Sequence, residues 1–552
     1  MDPACGSGNF LTETYISLRR LENLVIRDIL DCDRKQIDGQ IVFGDVINPI
    51  KVGIEQFYGI EINDFAVTVG KTALWIAESQ MMKETEDILA MSLDFLPLKT
   101  NANIHEGNAL RMDWDNIVDR HELNYIMGNP PFIGHQWRND SQKRDMEMVF
   151  DGYKTYGKLD YVAAWYKKSS DYMNTTSIKC AFVSTNSIVQ GESVSTLWKP
   201  FLNSGKLTIL FARQTFIWNS ESNQKAHVHC VIIGFTCGIN NSALKTLFID
   251  DKAKEVENIN GYLMDAPNIF IENRGLPLTP NMPKMSKGSQ PTDGGNLILS
   301  SEEKEEITNR HPDADGIIKQ YVSADDYINN KKRYCIWLKN VPPHKYTGIK
   351  PIMSRLDKVR DIRLKSPTKS VQEAAKTPTL FTQIRQPNTD YLAVPEVSSE
   401  RRRYIPIGFM PPEVIASNKL YLIPNASLFL FGVLISNVHM AWMRVVAGRL
   451  EMRYSYSPSV YNNFPWPTPT DEQKAKIEQT AQAILDARAL YPESSLADLY
   501  DPLTMPIELQ KAHTANDKAV MQAYGFDIKS TTEADCVAKL MQMYKELTIN
   551  DK

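Results

Sequence analysis

Hydrophobic positions in the first 236 residues follow two alternating patterns. Short apolar runs that end in polar residues alternate with longer stretches in which apolar residues recur at helical spacing. The strand-like runs are residues 56–63, 103–110, 124–128 and 179–186, and the helical stretches are residues 12–30, 64–79 and 160–172. Strands alternating with helices predict an α/β fold with a mostly parallel, doubly wound sheet, and residues 207–212 and 229–235 predict strands that close one edge.

The pattern changes near residue 236. Residues 237–469 are rich in Pro, Gly and Asn and carry short strand-like runs, for example residues 377–409, which predicts a mixed α+β domain with many loops. Strong helical periodicity returns at residues 471–490, where Thr470 is a suitable cap. We therefore predict three domains, which span residues 1–236, 237–469 and 470–552.

Composition narrows the class of protein. Hydrophobic residues make up 43% of the chain and charged residues 23%, so large cores can be buried. The seven cysteines include no C-x-x-C pair, which argues against a disulfide framework or a thiolate zinc site and favours a reducing, cytoplasmic location. No apolar run reaches the roughly 18 residues of a membrane-spanning helix, so no such helix is expected.

Charge is unevenly distributed along the chain. The net charge of −4 argues against a uniformly basic nucleic-acid binder, but residues 331–369 hold twelve Lys or Arg. A local basic face can still neutralise phosphates, because the field at the contact surface decides binding. The alternative is an ordinary solvated surface, which a run of charge usually forms.

Polar residues stand where each predicted strand ends. A loop with two glycines lies at residues 2–10, Glu61 and Asn108 end two later runs, and Asn129-Pro130-Pro131-Phe132 ends another. Neither proline can donate a ladder hydrogen bond, so the chain must leave the sheet at Asn129. Open α/β sheets bind ligands at the carboxyl ends of their strands, and an acidic residue there can accept both hydroxyls of a ribose. The residues therefore predict a nucleoside-cofactor pocket, although Asn-Pro-Pro alone is more often a plain turn.

Taken together, these motifs resemble those of a known family. Asp2-Pro3-Ala4-Cys5-Gly6-Ser7-Gly8-Asn9-Phe10, Gly59-Ile60-Glu61-Ile62-Asn63 and Asn129-Pro130-Pro131-Phe132 are similar to the motifs of amino-group DNA adenine methyltransferases in which target recognition comes last. The fuller match, which includes Arg333-Tyr334-Cys335, Gly448-Arg449-Leu450 and Phe464-Pro465-Trp466-Pro467, resembles the MmeI-like type IIL restriction–modification enzymes. The resemblance implies a class I S-adenosylmethionine-dependent methyltransferase (Rossmann-like) sheet, a target recognition domain that binds double-stranded DNA, and a C-terminal helical segment.

For the cofactor S-adenosylmethionine, the resemblance assigns each part of the molecule to one stretch of the chain. The methionine end would lie against Asp2, Ala4, Gly6 and Gly8, the ribose against Glu61, and the adenine against Ile62, Asn108 and Ala109. Asn108 departs from the more common Asp, but its side-chain oxygen can still accept a hydrogen bond from an adenine amine.

The resemblance assigns the chemistry to the catalytic motif Asn129, Pro130, Pro131 and Phe132. The Asn129 side-chain oxygen and the Pro130 carbonyl would accept the two N6 hydrogens of an adenine, and Phe132 would stack on the base. The adenine must be flipped out, because its amine cannot reach a cofactor from inside the duplex. No metal is required. Asp160 and Tyr161 are candidates for the lining of the base pocket, with capping of the following helix as the alternative.

Relatives of this type carry a nuclease domain, a connector and a segment that completes the cofactor pocket upstream of the glycine loop. We therefore predict a truncated or split gene product with a sheet truncated before its first strand and an unanchored glycine loop. Three alternatives follow for the chain on its own, which are poor folding, oligomerisation, or dependence on an upstream nuclease and connector chain that supplies the missing strand. The predicted activity is DNA adenine N6-methylation, and the alternative is a DNA-recognition remnant that is inactive without the upstream chain. Asn-Pro-Pro-Phe also occurs in RNA and glutamine methyltransferases, but the loop-rich domain suits duplex DNA better.

Glu451 and Arg453 are predicted to read one base pair. In an extended segment, residues two positions apart project from the same face. Glu can accept from cytosine N4 and Arg can donate to guanine, so the two suit a C·G pair, and the resembling family carries recognition at these positions. The alternative is a surface ion pair worth at most about 1 kcal/mol.

Reversing these charges tests the base-reading role. In the double variant Glu451→Lys with Arg453→Asp, the donor and the acceptor change places, so we expect one base pair of the methylated site to change. Sequencing of methylated DNA measures this. An unchanged methylated motif would exclude the pair from base reading.

Overall fold

The computed structural model describes residues 1–36, 49–93, 102–218, 228–238, 244–450 and 453–550. The chain forms two compact units, Met1–Val189 with Ser193–Phe270, and Gln190–Glu192 with Ile271–Lys552. The predicted domain boundaries at residues 236 and 469 remain predictions.

Helices and strands alternate through most of the first unit, as predicted from the sequence. The helices are α1 (Asn9–Gln36), α2 (Asp64–Leu89), α3 (Asp140–Val149), α4 (Ala163–Tyr172), α5 (Glu192–Leu197, whose first residue belongs to the second unit) and α6 (Lys199–Leu202). The strands are β1 (Tyr58–Glu61), β2 (Asn103–Glu106), β3 (Tyr125–Gly128), β4 (Lys179–Thr185), β5 (Leu207–Trp218), β6 (Val228–Cys237), β7 (Lys245–Ile249) and β8 (Lys252–Val256).

The strands of the first unit form two groups. β1 pairs with β2 in parallel, and the larger group has the order β3-β4-β6-β5-β7-β8. In the larger group β3 and β4 are parallel, and β6 runs antiparallel to both β4 and β5. The predicted α/β fold is confirmed. The prediction that β5 and β6 close one edge is wrong, because β7 pairs with β5 and β8 with β7, so that β8 forms this edge and β5 and β6 lie inside the group.

Met1 and Asp2 lie between β1 and β3 and join the two groups. The Asp2 N–H donates to the Tyr58 carbonyl at 2.8 Å, and the Ile60 N–H donates to the Asp2 carbonyl at 3.0 Å. On the other side, the Met127 N–H donates to the Met1 carbonyl at 2.9 Å. The prediction of an unanchored glycine loop is therefore wrong, because hydrogen bonds from both neighbouring strands hold its first residues.

The second unit combines small sheets with helices. Its strands are β9 (Ser286–Lys287), β10 (Ile298–Leu299), β11 (Ile318–Val322), β12 (Tyr334–Ile336), β13 (Tyr391–Pro395), β14 (Val397–Ser398), β15 (Gly408–Met410), β16 (Ile415–Ala416), β17 (Leu420–Pro424), β18 (Gly448–Leu450) and β19 (Arg453–Ser455). Its helices are α7 (Ser301–Arg310), α8 (Ala324–Asn329), α9 (Lys350–Leu364), α10 (Lys369–Glu373), α11 (Leu428–Leu434), α12 (Asn437–Val446), α13 (Pro458–Asn462), α14 (Asp471–Ala489), α15 (Leu496–Leu499), α16 (Ile507–Ala523) and α17 (Glu533–Asn550).

Three sheets organise this unit, in the orders β10-β12-β11-β16, β15-β13-β17-β9 and β14-β19-β18. The helical C-terminal part begins at α14, where the Thr470 hydroxyl accepts from the Gln473 N–H at 3.2 Å, as the sequence predicts. The mixed α+β segment and the helical C-terminal segment are confirmed. In the described parts of the chain no single helix is long and apolar enough to cross a membrane, although α11 and α12 together, bent by 56°, match by length and composition.

A buried arginine ties several segments of the second unit together. Arg363 in α9 is 0% exposed, and burial lowers the pKa of its guanidinium. Its three nitrogens donate to five main-chain carbonyls, those of Pro291, Thr292, Ala374, Thr377 and Leu380. The Ala374 and Thr377 carbonyls also accept from the N–H groups of Thr377 and Leu380, so the Arg363 side chain adds to the main-chain hydrogen bonds of these loops and ties them to α9.

We expect Arg363→Leu to lower the free energy of unfolding by about 3 kcal/mol, because five main-chain carbonyls lose a charged donor whose side chain is fully buried. Urea unfolding followed by tryptophan fluorescence measures the loss. The matched control is Arg360→Leu on the same helix, where the side chain is exposed and pairs with Asp357. A loss for Arg363→Leu no larger than that for Arg360→Leu would contradict the structural role.

Candidate functional site

A cavity of about 430 Å³ lies at the carboxyl ends of β1, β2 and β3. Its volume is within the range of roughly 300–1,000 Å³ that small-molecule sites occupy. Seven of the residues assigned to the cofactor or to the catalytic motif line it, namely Ala4, Glu61, Ile62, Asn108, Ala109, Asn129 and Pro131. The other predicted residues of this unit do not line it, and these are Asp2, Gly6, Gly8, Pro130 and Phe132. The sheet therefore brings the three predicted strand ends to one place.

Glu61 ties the glycine loop to the end of β1. Its Oε2 accepts from the Gly6 N–H at 3.0 Å, and its Oε1 accepts from the Asn63 N–H at 2.9 Å. Gly8 has a φ of +81°, and a Cβ there would lie 3.2 Å from the Gly70 Cα, so glycine suits both the turn and the close approach of α2. Each carboxylate oxygen has a second lone pair, so Glu61 can still accept from a ligand hydroxyl.

Asp2 is buried behind this loop, with 1% of its surface exposed. Its Oδ1 accepts from the Ala4 N–H at 3.0 Å, and its Oδ2 has no hydrogen-bond partner among the described residues. Burial raises the pKa of this carboxyl to about 7. A Cβ on Gly128 would lie 2.4 Å from Oδ1. Gly128 therefore leaves the space that the Asp2 carboxylate fills, and this contact couples the glycine loop to β3.

Asn129 follows β3 and lines the cavity. Its Oδ1 is buried and has no hydrogen-bond partner within the described residues. Buried polar atoms are normally paired, so this oxygen is an acceptor available to a ligand. Pro130 is buried, Pro131 is exposed and Phe132 is half-buried.

A carboxylate from α3 organises the neighbouring loop. Asp145 is 2% exposed, its Oδ2 accepts from the Tyr161 hydroxyl at 2.7 Å and from Asn108 Nδ2 at 3.1 Å, and its Oδ1 accepts from Arg111 Nε at 2.6 Å. Burial acts to raise the pKa of Asp145, but these hydrogen bonds outweigh it and leave the pKa below its usual value. Asn108 Oδ1 accepts from the Leu110 N–H at 3.0 Å, so both ends of the amide are held.

Sequence reasoning missed Asp145, because an acidic residue on an amphipathic helix carries no signal of its own. Five further lining residues that were not predicted as site residues follow the catalytic motif along the chain, namely Ile133, Asn139, Ser141, Gln142 and Trp165, and three precede it, namely Pro3, Ile60 and Gly107. Tyr161, a candidate from the sequence, does line the cavity. Asp160, the other candidate, does not line it, and its Oδ1 instead accepts from the Ile133 N–H at 3.1 Å. The signal available in the sequence was a pair of aromatic residues four positions apart, Tyr161 and Trp165.

The predicted base-reading pair belongs to the second unit. Arg453 is exposed at the start of β19, opposite Leu450 of β18. Glu451 lies outside the described residues, so the role of the pair remains a prediction. In the same hairpin the Arg449 guanidinium lies 3.9 Å from the centre of the Tyr454 ring.

Family models match the chain from end to end. The models for the MmeI DNA-methyltransferase domain, target recognition domain and C-terminal domain match residues 1–249, 265–468 and 469–550. The solved structure of the Type IIL restriction-modification enzyme MmeI in complex with DNA is 42% identical, with a TM-score of 0.89, over 99% of this chain and 73% of that one. The chain belongs to the MmeI family. The family predicted from the motifs is thus confirmed.

A curated relative of this MmeI-family chain is DNA methyltransferase A of Bacillus subtilis (strain 168). The two are 38% identical over 551 residues, which are 99% of this chain and 61% of the relative. The chain therefore spans less than two thirds of the length of that protein.

Gly128→Ala tests the coupling between Asp2 and β3. The added methyl group would lie 2.4 Å from a buried carboxylate oxygen, so something must shift, and we expect the free energy of unfolding to fall by about 1–3 kcal/mol. Urea unfolding measures it. In the control Gly134→Ala the nearest atom is Trp137 Cδ1 at 3.6 Å, an ordinary contact. Equal stability of the two variants would show that Asp2 and Gly128 are not coupled.

Proposed function

We propose that this chain is a site-specific DNA adenine N6-methyltransferase of a restriction–modification system that uses S-adenosylmethionine. The observation that carries the proposal is the buried Asn129 Oδ1, which has no partner among the described residues and lines the same cavity as Glu61 and Asn108. The names of the relatives, a restriction-modification enzyme and a DNA methyltransferase, support it.

The residues around the cavity fit S-adenosylmethionine. Glu61 has lone pairs free to accept the ribose hydroxyls while it holds the Gly6 N–H, and Ile62, Asn108 and Ala109 line the same cavity for the adenine. The glycine loop from Asp2 to Gly8, with Ala4 at the cavity wall, would receive the methionine end. When bound, the cofactor supplies a methyl group on a sulfonium, so no phosphate-binding residue is needed.

Asn129 and Pro130 would hold the reacting amine. The lone pair of an exocyclic adenine amine is delocalised into the ring, so two acceptors on its hydrogens are needed to turn the lone pair toward the methyl group. The Asn129 Oδ1 and the Pro130 carbonyl are the two acceptors, and they stabilise the positive charge that develops on nitrogen. The bound cofactor would supply the methyl group, with its C–S bond breaking as a C–N bond forms to N6, and one N6 proton would then leave to solvent.

Double-stranded DNA is the proposed partner. The target adenine would be flipped out of the helix, with Pro131 and Phe132 beside it and the Phe132 ring replacing part of the lost stacking. In the second unit, Glu451 and Arg453 would read a base pair of the site. We include in the proposal an upstream polypeptide equivalent to the part of the longer relatives that this chain does not span.

Two measurements separate this proposal from a DNA-recognition remnant. Calorimetry with S-adenosylhomocysteine reports cofactor binding, and incorporation of labelled methyl groups into DNA reports transfer, with and without the upstream polypeptide of a longer relative. We expect N6-methyladenine to form in DNA at least when the upstream polypeptide is present. DNA binding without methyl transfer, both with and without that polypeptide, would favour the remnant. Methylation of RNA or of glutamine in place of DNA would show that DNA is not the substrate.

Asn129→Ala tests the amine-holding role. The variant removes an acceptor needed only for transfer, so we expect kcat to fall by at least about 100-fold, with the cofactor Kd changed by less than about twofold. The control is Asn124→Ala, an exposed asparagine next to the other end of β3. Full activity of the Asn129→Ala protein would refute the assignment.

A further inference from the structure

One short segment holds three of the loops that line the cavity or continue from its lining. Residues 160–168, here called the bracing segment, comprise the turn before α4 and the first half of that helix. Its side chains Asp160, Trp165 and Lys168 each form hydrogen bonds with a different loop. Trp165 and Lys168 are three positions apart and therefore lie on the same face of α4.

Asp160 holds the chain that leaves the catalytic motif. Its Oδ1 accepts from the Ile133 N–H at 3.1 Å and from the Val162 N–H at 3.2 Å. The Tyr161 N–H donates to the Ile133 carbonyl at 3.0 Å, so both main-chain groups of Ile133 are fixed. Ile133 directly follows Phe132, and this attachment therefore limits where Asn129 and the prolines can lie.

Trp165 holds the glycine loop. Its Nε1–H donates to the Pro3 carbonyl at 3.1 Å, and its ring packs edge-on against Tyr161 with 5.2 Å between ring centres. Trp165 is buried, so the hydrogen bond is protected from competition by water. Pro3 lies between Asp2 and Ala4, which are two of the residues proposed for the methionine end of the cofactor.

Lys168 holds the loop after β2. Its Nζ donates to the Leu110 carbonyl at 3.0 Å and to the Met112 carbonyl at 2.6 Å. Burial lowers the pKa of this amine, and the charge lies 5.8 Å from the Trp114 ring centre. The held carbonyls follow Asn108 and Ala109, so Lys168 supports the loop proposed for the cofactor's adenine.

We infer that the bracing segment sets the spacing between the cofactor loops and the amine-holding loop, and that Asp160, Trp165 and Lys168 are positioning residues for methyl transfer. The inference rests on the proposed function. It assigns different effects to different residues, since Asp160 acts on the transfer step, whereas Trp165 and Lys168 act on cofactor affinity.

Single variants measured for both kcat and cofactor Kd test this division. For Asp160→Ala we expect kcat to fall at least about tenfold with the Kd changed less than about twofold, and Asp160→Asn to recover most of the rate, because the Asn oxygen can accept the same two hydrogen bonds. For Trp165→Phe and Lys168→Met we expect the Kd to rise by about three- to tenfold, with kcat at saturating cofactor within about twofold.

Two controls separate positioning from general destabilisation. Trp198→Phe removes a matched buried Nε1–H donor, which contacts the Ile188 carbonyl at 2.9 Å away from the cavity. Lys167→Met removes the neighbouring lysine, which pairs with Asp171. Neither control should change the cofactor Kd or kcat by more than about twofold. Equal effects of the variants and the controls would overturn the inference.

Hydrogen exchange provides a measurement that does not depend on catalysis. We expect faster exchange at the Ile133 amide in Asp160→Ala, in the glycine loop in Trp165→Phe, and at residues 108–112 in Lys168→Met. A wild-type protein that neither binds cofactor nor methylates DNA would refute the proposed function, while these exchange patterns would still decide the bracing role. Faster exchange that is spread evenly over the first unit, or that is absent from the loop named for each variant, would contradict the bracing role.

Discussion

The main-chain hydrogen bonds around Asp2 are the constraint on which the candidate site depends. One residue bonds to β1 on one side, and its neighbour Met1 bonds to β3 on the other, so the glycine loop emerges from the middle of the sheet. Parallel strands end at the same edge of a sheet, so the main chain alone brings Glu61 and Asn129 to the same cavity. The buried carboxylate at position 2 adds a contact between the loop and β3 that main-chain bonds alone do not provide.

Two buried carboxylates near the cavity differ in their charge at neutral pH. Asp145 receives hydrogen bonds from a hydroxyl, an amide and a guanidinium, and its pKa lies below the usual value. Asp2 receives one from a backbone N–H, and burial raises its pKa to about 7. Burial acts to raise the pKa of both carboxyls, and only at Asp145 do the hydrogen bonds outweigh it. A fixed negative charge thus stands beside Asn108, whereas the charge behind the glycine loop depends on pH.

The strand ends and the catalytic motif were predictable, because a polar residue that follows a short apolar run marks the place where a buried strand leaves the sheet. The bracing segment was not, since Lys168 bonds carbonyls 56 and 58 residues away and only the folded chain brings these together. The predicted helix at residues 160–172 begins as α4 only at Ala163, because Asp160 and the Tyr161 N–H are engaged with Ile133. The prediction of an unanchored loop was wrong because Met1 and Asp2 are enough to anchor it, since β1 bonds to Asp2 and β3 bonds to Met1.

The close approach of Asp2 to Gly128 also limits which substitutions this chain can accept at the two positions. While an acid occupies position 2, any side chain at position 128 competes with it for the same volume. A change at one of the two positions therefore requires a compensating change at the other. Exchanging the glycine loop alone between relatives would then succeed only when the residue before the catalytic asparagine is exchanged with it. A recombination boundary drawn between the cofactor half and the amine-holding half of the sheet would separate two residues that fill one space.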